Sequence, residues 1–235
     1  DPWVCAGSEG RFYYSGLAFN RGGKESAVFV ARFEDTNDKE GGDTIDYRGV
    51  KIVATGNAGQ FVDMPRMAVD VPRGASNDHI FLVYTVFVGN LEKTIRSKMY
   101  CSRSTDGGLT WSSPTKLSES QHIIQGAAIA IDPLSGDVYV AFRRFYHNSQ
   151  DSGIVVVKST DRGSTFSSPQ VIATFLNDTF DQPATPDEVT YPDPNDYVPG
   201  ESFRTNSYPT IAVDDNHRVF VAWSQRNYGP SGEAR

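Results

Sequence analysis

The chain has 235 residues, 38% of them hydrophobic, and a formal net charge of −7. That composition excludes collagen-like and disordered classes, and an acidic chain without a Lys/Arg run lacks the surface that neutralises nucleic-acid phosphates. The longest apolar run, residues 80–88, is far short of the roughly 18 residues needed to span a membrane as a helix, so no membrane span is expected.

Aromatics are plentiful, at 14 Phe, 11 Tyr and 3 Trp, while 21 Gly and 13 Pro punctuate the chain, a pattern that predicts many short strands and turns. Internal repeats organise those strands. A first unit recurs at residues 2–7 (PWVCAG), 65–70 (PRMAVD), 127–132 (AAIAID) and 209–214 (PTIAVD). Each is followed by a second unit, at 10–15 (GRFYYS), 79–84 (HIFLVY), 136–142 (GDVYVAF) and 217–223 (HRVFVAW). Its β-branched and aromatic residues suit a half-buried strand. Third strands follow at 28–32, 99–103 and 154–158, and fourth strands near 50–54, 114–117 and 169–173. Four short antiparallel strands per repeat predict an all-β fold, a β-propeller of four-stranded blades.

The predicted blades cover residues 2–60, 61–122 and 123–175, with a partial blade at 207–235 after an insert at 176–206. Three and a half blades cannot close a ring without exposing a sheet edge and an apolar face. The expectation is a six- or seven-bladed ring completed by remaining blades of the same polypeptide or by a second chain.

Between the third and fourth strands lies a more specific pattern. Residues Ser104, Asp106, Gly108, Thr110 and Trp111 in one blade match Ser159, Asp161, Gly163, Thr165 and Phe166 in the next, as Ser-x-Asp-x-Gly-x-Thr-aromatic. Such a turn uses Asp to accept backbone N–H bonds, Gly to take positive φ and the aromatic as an anchor. These residues, with the flanking strands, resemble the Asp-box, or bacterial neuraminidase repeat, family of sialidase-like propellers. Residues 34–43 of the first blade depart from the pattern. The resemblance implies that the boxes are structural staples on the outer rim, away from the central channel, and that the protein acts outside the cell, secreted or periplasmic.

The resemblance also raises sialidase chemistry: a Tyr nucleophile activated by a neighbouring Glu, an Asp acid/base and an Arg cluster for the substrate carboxylate. Family members carry an aromatic-Arg-Ile-Pro motif in the first blade, and residues 1–6 read DPWVCA instead. The nearest substitutes are Arg66, the pair Arg143 and Arg144, Arg204 and Tyr208. No complete catalytic set is visible. The reading that follows is a non-catalytic extracellular scaffold with a glycan or protein ligand. The alternative is an exo-sialidase-type hydrolase with part of its site outside this segment.

The insert carries seven carboxylates against Arg204 alone, and therefore −6 of the net charge. Asp193 and Asp196 are candidate Ca²⁺ ligands, set against a solvated acidic loop; no other cofactor is expected. Asn177 to Thr179 forms an N-glycosylation sequon. Cys5 and Cys101 are either buried small hydrophobes or, in an oxidising compartment, a single disulfide. The four histidines show no metal-ligand spacing.

Overall fold

The computed structural model describes residues 2–20, 25–36, 45–72, 77–89, 96–119, 123–145, 152–174 and 208–224. Blade one is a sheet of β1 (Trp3–Ala6), β2 (Arg11–Phe19), β3 (Ser26–Glu34) and β4 (Asp46–Gly56). Blade two comprises β5 (Gln60–Asp70), β6 (His79–Val88), β7 (Arg96–Ser104) and β8 (Thr115–Lys116), and blade three β9 (Ile123–Ile131), β10 (Val138–Phe145), β11 (Gly153–Ser159) and β12 (Gln170–Thr174). A two-stranded sheet of β13 (Thr210–Val213) and β14 (Val219–Ala222) begins blade four. Every strand pairs antiparallel with its sequence neighbour, so each sheet is a meander. First strands adjoin in order, β1 beside β5, β5 beside β9 and β9 beside β13. The architecture is an all-β propeller.

Side-chain alternation makes the blades stack. On β6, Ile80, Leu82 and Tyr84 pack against Tyr13, Val28 and Val30 of blade one. The intervening Phe81 and Val83 pack against Val138, Val140 and Phe142 of blade three. Sandwiched on both faces, β6 reads as a near-continuous apolar run where a strand with one solvated face would alternate. Blade four shows the contrast: Phe220 is 53% exposed at the position where Tyr13 and Phe81 are each 1% exposed.

The two cysteines do not pair. Cys101 lies in the core between blades two and three, where burial pushes its thiol up to about 12. Cys5 packs on the opposite side of blade two and donates a hydrogen bond to the Met67 carbonyl, 3.2 Å away. Both are free. The disulfide expectation fails because the blade itself separates the sulfurs.

The junction between blades one and two is cross-wired. In blades three and four the first turn is closed by its own Asp: Asp132 Oδ1 accepts from Leu134 N and Ser135 N, and Asp214 Oδ1 from Asn216 N and Arg218 N. Blade one has Gly7 there, and the fully buried carboxylate of Asp78 in blade two occupies the space. It accepts from Ser8 N at 3.0 Å, from the Ser8 hydroxyl at 2.6 Å and from the Tyr13 phenol at 2.6 Å. Burial, reinforced by this carboxylate, pushes the Tyr13 phenol well above its ordinary value.

Candidate functional site

The two Ser-x-Asp-x-Gly-x-Thr-aromatic turns are the first candidates, and their geometry is self-contained. In blade two, the Ser104 hydroxyl donates to Asp106 Oδ1 at 2.7 Å and accepts from Gly108 N at 2.8 Å. Asp106 also accepts from Thr110 N and the Thr110 hydroxyl. Blade three repeats the network through Ser159, Asp161, Gly163 and Thr165. Burial raises the Asp106 pKa, but the Thr110 and Ser104 bonds outweigh it and the net shift is downward. The Thr165 and Ser159 bonds hold Asp161 at about 2. A carboxylate so stabilised as an anion is a poor proton donor near neutral pH.

These turns also join blades. Gly163, at φ 74°, lies so close to the Phe81 ring of blade two that a side chain would not fit, and Arg103 Nη1 donates to the Arg162 carbonyl at 2.9 Å. Gly107 N donates to the Asp78 carbonyl, which puts the box and the first turn at the same end of blade two.

The opposite end, where the first strands begin, is built differently. On β5 the register shifts between Asp63 and Arg66, leaving Met64 and Pro65 as a bulge, with Met64 at φ 50°. The repeat places the strand at residues 65–70, yet β5 runs on through Pro65, because a bulge accepts the residue that cannot donate to the ladder. A matching bulge lies at Gly126 and Ala127 on β9, with Gly126 at φ 68°. The residue ahead of each bulge is polar, Asp63 and Gln125.

Around these bulges the described blades each bring in a side chain. The Arg66 guanidinium stands 5.0 Å over the Trp3 ring of blade one, a cation–π arrangement. Trp3 and Arg66 hold the same repeat position, four residues before Gly7 and Asp70. Burial lowers the Arg66 pKa, while Asp63 and Tyr208 of blade four are near enough to oppose that shift. The Tyr208 hydroxyl donates to Gln125 Oε1 of blade three at 3.0 Å. The result is a half-buried cluster of a cation, an indole, a phenol, an amide and a carboxylate.

Of the residues expected from sequence, Arg66 and Tyr208 thus lie within electrostatic reach of each other. Arg143 is wholly buried opposite Gln125 in the β9–β10 register, with its guanidinium 5.3 Å over the Phe145 ring. Arg144 lines a hollow of about 30 Å³ with Glu119. Arg204, Asp193, Asp196 and the Asn177 sequon lie outside the described residues, as do residues 37–44 of blade one. Among the described residues no group of three His, Cys, Asp or Glu side chains could hold a metal ion, and no helix is long and apolar enough to cross a membrane. The sequence reading missed Trp3, Asp63 and Gln125, although Trp3 shares the repeat position of Arg66.

No protein-family model matches the chain, nor does any curated protein. Solved structures do. An α-L-arabinanase of Penicillium chrysogenum, in complex with arabinobiose, aligns with a TM-score of 0.56 at 11% identity, over 99% of this chain and 63% of that one. The GH93 α-L-arabinofuranosidase of Fusarium graminearum, also with arabinobiose, gives 0.54 at 13%, over 99% and 62%. The Hadza microbial sialidase Hz136 gives 0.53 at 13%, over 97% and 42%. The chain shares the β-propeller fold with these proteins. This chain spans less than two thirds of each of these proteins, and at such identities the likeness is one of fold alone.

Proposed function

We propose that the chain is a carbohydrate-binding propeller segment of the Asp-box family, non-catalytic and acting outside the cell. The observation that carries this reading is the cluster at the start of the first strands, where Arg66 on Trp3, Asp63, Gln125 and Tyr208 converge. Planar aromatics beside convergent donors and acceptors are what a saccharide needs, with its apolar ring faces and dense hydroxyls. Among the propellers of similar fold are an arabinanase, an arabinofuranosidase and a sialidase, which supports a sugar as ligand.

The non-catalytic half of the proposal rests on the sequence, where residues 1–6 read DPWVCA in place of the aromatic-Arg-Ile-Pro motif of sialidases. The amide oxygen of Gln125 orients the Tyr208 hydroxyl, and an amide is not itself a base. The second reading, a sialidase-type hydrolase whose site is shared with other blades, draws on Asp63 lying near Arg66. We further propose that additional blades of the same polypeptide cover the exposed Phe220 face.

The test uses the full polypeptide. Titration calorimetry with arabinobiose and with sialyllactose is expected to show binding that Arg66→Ala weakens about tenfold or more, as for a lost charged hydrogen bond. A fluorogenic sialoside is expected to remain intact. Turnover that disappears in Arg66→Ala or Arg204→Ala would establish the hydrolase instead.

A further inference from the structure

We infer that Gly126 is a positioning residue, the seat that fixes the Tyr208 phenol at the site where the first strands begin. The consequence for ligand binding rests on the carbohydrate-binding reading above, whereas the seat itself is a matter of geometry. A methyl group on Gly126 would overlap Cδ1, Cγ and Cε1 of the Tyr208 ring. The ring therefore lies flat on bare backbone, and its hydroxyl reaches the side chain of the residue immediately before, Gln125.

The bulge by itself does not call for glycine. Met64 occupies the equivalent bulge position on β5, also with positive φ, at 50° against 68° for Gly126, and its side chain is buried there at 8% exposure. What distinguishes β9 is the aromatic ring from blade four. A side chain at residue 126 would lift the phenol away from Gln125 and shift it relative to Arg66, whose charge it influences. Blade three thereby fixes where blade four delivers its contribution to the site.

The experiment separates the seat from the ligand. In protein labelled with 3-fluorotyrosine, Tyr208→Phe assigns the Tyr208 fluorine resonance. Gly126→Ala is expected to move that resonance while leaving those of Tyr13 and Tyr84 in place. Gly126→Asn, whose side chain tolerates left-handed backbone, should do the same and removes backbone strain as the cause. Binding of arabinobiose or sialyllactose should fall about three- to tenfold in either variant, the worth of one hydrogen bond. In a Tyr208→Ala background the same substitutions should cost nothing further. An unmoved Tyr208 resonance, or an equal loss of binding in both backgrounds, would overturn the inference. Wild-type protein that binds neither sugar would overturn the carbohydrate reading, and the fluorine resonance would still decide the seat.

Discussion

The two ends of the blades obey different rules. At the turn end, blades two and three carry the same Ser, Asp, Gly and Thr hydrogen bonds, differing only at the residue between Gly and Thr, where Leu109 N reaches the Asp106 carboxylate and Ser164 N the Asp161 carbonyl. At the strand-start end the bulges of β5 and β9 match but the side chains do not repeat: the position four residues before the turn is Trp3, Arg66, Ala128 and Thr210 in successive blades. Recurrence is what stability favours in a repeat protein, since each repeat packs only on its neighbours. Departure from the repeat is where a ligand can be read.

That contrast predicts which substitutions unfold the protein and which only blind it. The largest effect is expected at Asp78, whose fully buried carboxylate serves a turn in another blade. Asp78→Ala should lower the urea unfolding free energy by about 3–5 kcal/mol, the range for breaking a buried charged network, while protein that remains folded keeps its sugar affinity. Ser159→Ala comes next, because it strands the buried amide of Gly163. A loss of about 1–3 kcal/mol is expected, again without loss of binding; a drop in affinity larger than the drop in stability would erase the distinction between the ends.

The smallest effect is a pH dependence. Asp161, held at about 2 by the Thr165 and Ser159 hydrogen bonds, contributes stability that is fully present above the unfolded carboxylate value of about 3.9. That contribution is lost as pH falls through the folded value. Melting temperatures recorded between pH 5 and 2 should therefore fall more steeply in the wild type than in Asp161→Asn. Parallel curves would show that the turn does not discriminate between the charged and neutral side chain.

The strands were legible because each occupies a run whose chemistry suits one pleated face, and the turns because Asp, Gly and Thr at fixed spacing admit few backbone solutions. Arg66 and Tyr208 could be singled out, but not joined: they are 142 residues apart, and only the stacking order of the blades makes them neighbours. Asp63 and Gln125 carried no signal of their own. Each is aimed by a bulge at the following residue, and Met64 in a left-handed conformation is not something a residue type announces. The cysteine pair failed for a related reason, since alternation tells which face a side chain takes only once the neighbouring blades are known.

The borrowed carboxylate of Asp78 also bears on how the molecule is made. Synthesised from its amino end, blade one emerges complete in strands before residue 78 exists to close the turn at Gly7 and Ser8. Its Tyr13 phenol and Ser8 amide then face water, and the sheet cannot settle into its final form on its own. Blade one becomes native in the same event that docks blade two, so these two blades form one cooperative unit during synthesis.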